Sequence, residues 1–400
     1  MRIAFVSQEY PPETAKGGLG TQTYLKAHGM AARGHEVHVI SQTAGPTLQR
    51  TRDSEVHVIR TPGFYPRMTI WTEAAGWLTY SSEVAAVLSQ LHAESPLDLI
   101  DFPEWAAEGY VHILNQTDGN RIASVIHLHG PLVMFAHAMG WPEIDSEFYR
   151  VGTEMEKTCL RLANGVFSSS ECSIGWCRRF YQLRHDHVPV IHTGVDTSLF
   201  MPQPVPKEER PTIIFVGRIA RNKGVEMLVA ACCRLTREIP ELHLWMLGNG
   251  EPGLLAALRQ TAVDSGCGDL LELRGFTRSE DLPEQLSRAH VFAAPSVYEG
   301  GPGFVYLEAM ACALPVIGCA GSGLDEIIET GRNGVVIPPN DVDALAEALH
   351  SLLTDPAKRE AMGRAARAYV LEHARREDCL ERMETFYLKV VEQTRGRPNE

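Results

Sequence analysis

Short apolar runs recur along the whole chain, and longer segments with helical spacing of apolar residues separate them. In the first half the runs occupy residues 2–7, 37–41, 56–60, 98–102, 124–129 and 165–170. In the second half they occupy residues 213–216, 242–247, 271–275, 291–294, 316–318 and 335–337. Strands of parallel sheets are buried on both faces and are therefore nearly continuous apolar stretches. The pattern predicts an α/β fold with a parallel sheet in each half.

Helices are predicted between and after these strands, at residues 21–33, 148–163, 172–181, 225–237, 304–313, 325–330, 342–353, 359–373 and 379–392. Residues 62–77 are rich in proline and aromatic residues, and we expect a loop or a helix edge there. Residues 202–211 contain four prolines and are predicted to be a linker. The polar tail, 394–400, is predicted to be disordered.

The composition is that of an ordinary globular protein large enough for two domains. The chain has 400 residues, of which 44% are hydrophobic and 22% are charged. A formal net charge of −13 argues against a general nucleic-acid binder. Nine cysteines without a framework spacing predict reduced thiols and a cytoplasmic location. Neither a signal peptide nor a membrane span is predicted.

A glycine-rich loop between a predicted strand and a predicted helix is the most informative segment. The strand ends at Pro295, and the loop continues through Glu299 and Gly300-Gly301-Pro302-Gly303 to a helix that begins at Phe304. Unpaired amides at a helix N-terminus stabilise an anion such as a diphosphate. Glu299, and Glu308 inside the helix, would repel phosphate but accept hydrogen bonds from sugar or ribose hydroxyls. An ordinary βα loop with two solvated glutamates is the alternative.

This segment resembles the acidic motif of retaining family-four glycosyltransferases of the GT-B fold, in which seven residues separate two glutamates. Here eight residues separate Glu299 from Glu308, because Gly-Gly-Pro-Gly replaces a shorter turn. The resemblance implies that Glu299 contacts the transferred sugar and Glu308 the ribose. It also implies that the backbone at Gly303, Phe304 and Val305 binds the diphosphate.

The same resemblance implies an architecture of two Rossmann-like domains that face a central cleft, with a C-terminal helix that crosses back to the N-terminal domain. We therefore expect an acceptor-side domain over residues 1–197, completed by 379–400. Residues 198–378 are expected to form the donor domain. Residues 193–200 resemble the junction between the two domains of the family.

Cationic side chains for a leaving diphosphate are predicted in the second half. Arg218 and Lys223 lie five apart in the loop after the strand 213–216, as in the family. Two fixed cations stabilise the developing phosphate charge more in the transition state than before it, so they can substitute for a metal. Gly275 and Phe276 end a later strand, and we expect the nucleotide base near them.

Two segments of the first half also resemble the family. Lys16-Gly17-Gly18-Leu19-Gly20 is similar to a loop of glycogen-synthase-like relatives, which implies donor contacts by Gly17 and Gly18. Lys16 stands one residue closer to the glycines than in that pattern, and a solvated lysine in a tight turn is the simpler interpretation. His129 ends the strand 124–129 and would lie beside the transferred sugar. A structural histidine bonded to backbone is the alternative.

The expected activity is the transfer of a hexosyl unit from a nucleotide diphosphate sugar to an acceptor hydroxyl, with retention of configuration. UDP-, GDP- and ADP-hexoses are all compatible donors, and no further cofactor, metal or nucleic acid is expected. The acceptor is a glycan, a lipid or a small molecule. Peripheral contact with the inner face of a membrane is compatible with a lipid acceptor, and the oligomeric state stays open.

Three alternatives accompany this prediction. A GT-B sugar-nucleotide epimerase or phosphorylase shares the motifs, and a sugar-nucleotide-binding protein would bind without turnover. A nicotinamide oxidoreductase is disfavoured, because neither glycine loop has the G-x-G-x-x-G spacing followed by an acid.

Asp341-Val342-Asp343 matches an Asp-x-Asp metal motif, but its place before a helix favours a helix cap.

Overall fold

The chain forms two compact α/β units. The computed structural model describes residues 1–14, 18–62, 72–117, 121–297 and 299–396. One unit comprises Met1–Thr193 together with the segment that begins at Glu377, and the other comprises Gly194–Arg376. The predicted α/β class, with one largely parallel sheet in each half, is confirmed.

The first unit is built on a seven-stranded sheet. Its strands are β1 (Arg2–Val6), β2 (Glu36–Thr43), β3 (Gln49–Asp53), β4 (Val56–Pro62), β5 (Leu99–Pro103), β6 (Ala123–Leu128) and β7 (Gly165–Ser168). They are arranged in the order β3-β4-β2-β1-β5-β6-β7, and only the β3–β4 pair in this sheet is antiparallel. β1 therefore lies at the centre, beside β2 and β5.

Helices cover both faces of this sheet. They are α1 (Gly18–Ala32), α2 (Glu73–Glu94), α3 (Tyr110–Leu114), α4 (Leu132–Met139), α5 (Glu147–Leu162) and α6 (Glu171–Tyr181). Alternate residues of β1 enter two separate cores: Ala4 and Val6 pack on one face, Ile3 and Phe5 on the other. The alternation follows from the period of two in a strand, and the burial of both faces explains the apolar runs.

The last helix of the chain completes the core of the first unit. This helix, α13 (Arg376–Arg395), buries residues at spacings of three and four, which is the period of one helix face. Leu380, Met383, Tyr387, Val390 and Val391 pack in the same core as β1. The expected return of a C-terminal helix to the N-terminal domain is confirmed, although the helix begins before 379 and includes Thr394 and Arg395 of the predicted disordered tail.

The second unit repeats the architecture with a six-stranded parallel sheet. Its strands are β8 (Thr212–Val216), β9 (His243–Leu247), β10 (Leu271–Gly275), β11 (Val291–Ala293), β12 (Val316–Cys319) and β13 (Val335–Ile337), in the order β10-β9-β8-β11-β12-β13. Its helices are α7 (Val225–Leu235), α8 (Pro252–Asp264), α9 (Leu282–Arg288), α10 (Phe304–Ala311), α11 (Val342–Thr354) and α12 (Pro356–His373).

Several local predictions were wrong. The helix predicted from Thr21 begins at Gly18. The predicted 325–330 helix is only the short 3-10 turn Leu324–Glu326. The predicted linker, 202–211, packs along the second unit, where Lys207 Nζ donates to the Ala289 carbonyl (2.6 Å). The prediction of a loop or a helix edge at 62–77 agrees with residues 73–77, which begin α2. Residues 63–71 lie outside the described part of the chain.

The Asp341-Val342-Asp343 motif is a helix cap, as predicted. The Asp341 carboxylate accepts from the Ala344 amide (2.9 Å) at the start of α11. Asp343 pairs with Arg234.

A buried ion pair joins α1 to β5 in the first unit. Lys26 Nζ lies 2.7 Å from Asp101 Oδ1, and both side chains are almost completely buried. The Tyr387 hydroxyl of α13 donates to the other oxygen of Asp101. Each charge thus depends on the other for compensation, since neither is solvated.

Lys26→Met should therefore lower the free energy of unfolding by about 3–5 kcal/mol, because it leaves the Asp101 carboxylate buried and uncompensated. Urea denaturation measures the change. Lys157→Met is the matched control, because Lys157 pairs with the largely exposed Glu154 and should lose under about 1 kcal/mol. Equal losses in the two variants would contradict the stabilising role of the buried pair.

Candidate active site

Each sheet has a switch point at which the order of its strands reverses. β1 lies between β2 and β5, and β8 lies between β9 and β11. Loops that leave the carboxyl ends of such neighbours diverge to opposite faces and leave a crevice, where α/β proteins bind ligands. The loops after β8 and β11, together with α10, contain most of the predicted donor-binding residues.

Backbone packing joins the loops after β8 and β11 in the second unit. Gly224 has φ of 67°, and a Cβ at this position would lie 2.1 Å from the Pro295 carbonyl oxygen. The Asn222 carbonyl accepts from the Val297 amide and the Ser296 hydroxyl, each at 3.2 Å. Only glycine fits both this backbone conformation and this approach.

The joined loops bring together two residues that were predicted from the sequence. Lys223 Nζ forms an ion pair with Glu299 Oε1, although the residues are 76 apart in the chain. Their side chains are 24% and 19% exposed, so the pair is accessible from one side. An ammonium group has three N–H donors. Lys223 can therefore hold Glu299 and still donate to a second anion.

Arg218 starts the same loop, which is packed against the loop after β9. A Cβ on Gly248 would lie 1.9 Å from the Gly217 carbonyl oxygen, just before Arg218. Arg218 is exposed, and in the described part of the chain it forms no ion pair with Glu299. The two predicted cations thus lie at opposite ends of one loop, one held by a carboxylate and one open to solvent.

The N-terminus of α10 follows Glu299 after four residues. Gly303 is its cap residue, and its carbonyl accepts from the Tyr306 amide (3.0 Å). The preceding amides, of Phe304 and Val305, belong to the first turn, where no partner exists inside the helix. They are therefore suited to an anion, as the sequence predicts.

Tyr306 fixes α10 against the end of β11. Its hydroxyl donates to the Ala294 carbonyl, and its ring meets Phe292 edge to face with centroids 5.2 Å apart. Both contacts are buried. The helix N-terminus is consequently positioned by the strand that leads into the Glu299 loop.

Glu308 lies on α10, just over one turn inside the helix, near a second ion pair. Burial raises the pKa of Glu308 to about 7, while the charge of Arg376 opposes that shift. Arg376 Nη1 itself pairs with Asp196 Oδ2 (3.2 Å). The Glu308 carboxyl therefore titrates near neutral pH, and its ionised form is a strong acceptor for hydroxyl donors.

The predicted base-binding residues lie at the same edge of the sheet. Gly275 ends β10 with φ of 72°, and its carbonyl accepts from the Gly248 amide (2.7 Å). The Phe276 side chain is 73% exposed. An exposed aromatic ring at this edge is available for stacking on a planar base.

In the first unit, His129 is held by a buried carboxylate. Glu104 follows β5, and its two oxygens accept from the His129 amide at 2.7 and 2.8 Å; the Gly130 amide also donates to it. Burial raises the pKa of Glu104 to about 7, whereas these amides act to lower it. Glu104 thus anchors the loop after β6 that contains the predicted catalytic histidine.

Both histidines of β6 and its loop are kept neutral. Burial and the charge of Lys26 lower the pKa of His127 and of His129 well below the usual range. His127 Nδ1 lies 3.3 Å from Lys26 Nζ, and Nε2 lies 2.9 Å from Ser169 Oγ. Because the ammonium is only a donor, His127 accepts at Nδ1 and donates at Nε2. The two imidazole rings are 4.0 Å apart.

Two further buried carboxylates stabilise the same edge of the sheet. Glu156 of α5 accepts from the Leu132 amide (2.9 Å) and from the Tyr181 hydroxyl (2.6 Å). Glu108 accepts from the Gln8 amide (3.0 Å), and burial raises its pKa to about 8. Backbone amides in the connections after β6 and after β1 are thereby fixed by acidic side chains.

Of the two predicted glycine contacts, Gly17 and Gly18, only Gly18 lies in the described part of the chain. It begins α1, and a Cβ there would meet no atom within 4 Å. Lys16 and Gly17 lie outside the described residues.

Two family models match the chain. The model described as Glycosyltransferase Family 4 covers residues 16–199, and that described as Glycosyl transferases group 1 covers residues 196–369. An alpha-maltose-1-phosphate synthase of Mycolicibacterium smegmatis is 32% identical over 98% of this chain and 100% of its own length. The chain belongs to glycosyltransferase family 4.

Other relatives of this glycosyltransferase are similar over nearly its whole length. A GDP-mannose-dependent alpha-(1-6)-phosphatidylinositol monomannoside mannosyltransferase of M. smegmatis is 28% identical over 93% of this chain and 94% of its own. The sucrose-phosphate synthase of Thermosynechococcus elongatus superposes with a TM-score of 0.81 at 24% identity, over 98% and 99% of the two chains. The fold is GT-B, as the resemblance implied.

No helix in the described residues of the glycosyltransferase is both long and apolar enough to span a bilayer.

Sequence analysis missed the carboxylates behind His129. Glu104 was not among the residues predicted from the sequence. An acid directly after a predicted parallel strand is a usable signal, since ligands bind at that end. The position of Lys26 was a second usable signal, because Lys26 lies on the same face of α1 as the buried residues Thr23 and Met30.

Glu308→Gln should stabilise the glycosyltransferase at pH 8 but not at pH 5. Burial raises the pKa of Glu308 to about 7 from its ordinary 4.5, so the folded state binds more protons between these values. The ionised carboxylate therefore costs stability that grows from pH 4.5 to 7 and is constant above. We expect a gain of about 1–2 kcal/mol at pH 8, measured by urea denaturation.

Glu347→Gln, at an exposed position of α11, is the control for the loss of one surface carboxylate. A gain from Glu308→Gln that is the same at both pH values would show that burial of its charge is not the cause.

Proposed function

We propose that this protein transfers a hexosyl unit from a nucleotide diphosphate sugar to an acceptor hydroxyl, with retention of anomeric configuration and without a metal ion. The observation that carries the proposal is the ion pair of Lys223 with Glu299 at the switch point of the second unit, beside the N-terminus of α10. Cation, hydroxyl acceptor and anion-binding amides all lie on two joined loops.

In this proposal Arg218, Lys223 and the amides of Phe304 and Val305 bind the diphosphate. Departure of the nucleotide concentrates negative charge on its phosphate oxygens, and these groups stabilise that charge as it develops. A leaving phosphate oxygen takes the acceptor proton on the face it has just left. That same-face attack is what retains the configuration.

The carboxylates orient the donor. Glu308 accepts from the ribose hydroxyls, and Phe276 stacks on the base near Gly275. Glu299 accepts from hydroxyls of the transferred sugar. The family resemblance assigns His129 of the first unit to the transferred sugar, and a neutral imidazole does not repel the positive charge that develops on a sugar.

The names of the relatives support a nucleotide-sugar donor. One is named as a GDP-mannose-dependent mannosyltransferase. Mass spectrometry of products from UDP-, GDP- and ADP-hexoses tests the proposal. A transferred hexose supports it; donor consumption without an acceptor, or dependence on free phosphate, would instead indicate an epimerase or a phosphorylase.

Lys223→Ala should lower kcat/KM by about 30- to 1000-fold, which corresponds to about 2–4 kcal/mol of lost transition-state stabilisation. Arg221→Ala is the matched control in the same loop. Arg221 is exposed and pairs with Glu226 at 2.5 Å, so its loss should leave kcat/KM within about twofold. Near-normal turnover by a folded Lys223→Ala protein would remove Lys223 from the mechanism.

Addition of EDTA should leave most of the transferase activity, because Arg218 and Lys223 supply the positive charge at the diphosphate. Initial rates measured before and after dialysis against the chelator check this. Complete loss of activity that Mn²⁺ restores would replace the proposed mechanism with a metal-dependent one.

A further inference from the structure

A cluster of aromatic rings lies beside the His129 loop in the first unit. Trp105 is central: its ring centroid is 5.6 Å from that of Trp77, 5.2 Å from that of Phe135 and 6.4 Å from that of Trp141. The Trp105 and Trp141 rings are inclined by only 30°. The two indoles are therefore close and nearly parallel, and we call this pair the Trp105–Trp141 shelf.

The shelf is accessible. Trp141 is 48% exposed and Trp105 is partly exposed. An indole buries a large apolar area when it is covered, so the exposed part of Trp141 offers binding area to a ligand. None of the contacts proposed for the nucleotide-sugar donor involves Trp105 or Trp141.

The loop that holds Trp141 is fixed at both ends. Gly140 caps α4, and its amide donates to the Ala136 carbonyl (3.1 Å). Ser146 caps α5, and its hydroxyl accepts from the Tyr149 amide (3.1 Å). Seven residues, 140–146, thus connect the two capped helix ends. The shelf is therefore preorganised, which limits the entropy lost on binding.

The shelf also lies beside the loop that contains the predicted catalytic histidine, His129. Trp105 directly follows Glu104, whose carboxylate holds the amides of His129 and Gly130. A molecule lying on Trp105 would thus be next to the loop that carries His129. The donor phosphates, in contrast, are assigned to loops of the second unit.

The charged residues around the shelf indicate which class of ligand it binds. Glu143, Asp145 and Glu147 are exposed next to Trp141, and no Lys or Arg occurs from residue 122 to 149. Membrane-binding surfaces combine aromatic residues with Lys and Arg, because bilayer surfaces are anionic. Carboxylates instead accept hydrogen bonds from hydroxyls. The surroundings thus favour an uncharged polyol over an anionic lipid surface.

We propose that the Trp105–Trp141 shelf is an acceptor subsite that binds an uncharged sugar residue by its apolar C–H face, with the neighbouring carboxylates accepting from its hydroxyls. The inference rests on the proposed function, since it assigns the acceptor of that reaction to the carbohydrate class. It adds two residues, Trp105 and Trp141, to those predicted from the sequence.

Titration of the full-length protein with methyl α-glucoside, methyl α-mannoside and maltotriose, followed by saturation-transfer NMR, tests the subsite. Trp141→Ala should raise the half-saturating concentration about three- to tenfold, as expected for loss of one aromatic contact. Trp141→Phe keeps a ring and should recover part of the affinity. Leu162→Ala, at the far end of α5 and similarly exposed (46% against 48%), should leave it unchanged.

The subsite would be overturned if none of the sugars gave a saturable response, or if the wild type and Trp141→Ala bound them with equal affinity. It would also be overturned if the protein sedimented with phosphatidylglycerol vesicles in a Trp141-dependent way and added sugars did not reduce that sedimentation. Calorimetry with UDP, GDP and ADP on the same proteins separates this inference from the proposed function. Nucleotide binding with Trp141-independent sugar binding refutes the subsite alone. Trp141-dependent sugar binding without binding of any nucleotide refutes the proposed function alone.

Discussion

The contact between Gly224 and the Pro295 carbonyl determines where the charged groups of the second unit can lie. Any side chain at position 224 would overlap that oxygen, so the loops after β8 and β11 can close together only around a glycine. Lys223 on one loop and Glu299 on the other are then close enough to pair. The electrostatic arrangement is thus a consequence of backbone packing, because the steric constraint positions both residues before their charges interact.

Most of the fold could be predicted because its strands are buried on both faces. Runs such as 213–216 and 291–294 have no polar interruption, so their burial is visible in composition alone. Edge elements lack this signal: β3 is polar and largely exposed, and its pairing depends on β4. The helix α2 was missed because proline and aromatic residues precede it, whereas tertiary packing of its long apolar face outweighs that local signal.

The candidate site was predictable where spacing carries the chemistry. Lys223, Glu299 and Glu308 stand in motifs with a fixed local geometry, and the structure places them at one edge of a sheet. The support behind His129 was not predictable in the same way. Glu104 becomes informative only when β5 and β6 are known to be neighbours, since its oxygens accept from amides 25 and 26 residues away. Contacts between segments that are distant in the sequence are set by the order of the strands in the sheet.

The return of α13 to the first unit makes that unit discontinuous in the chain. Residues 194–376, which form the second unit, are translated before the helix that covers Phe5 and Phe167. At roughly 5–20 residues per second, the nascent first unit keeps that apolar surface uncovered for about ten to forty seconds. Chaperones that shield apolar surface during synthesis therefore have their natural substrate here, whereas the second unit needs no later segment to close its core.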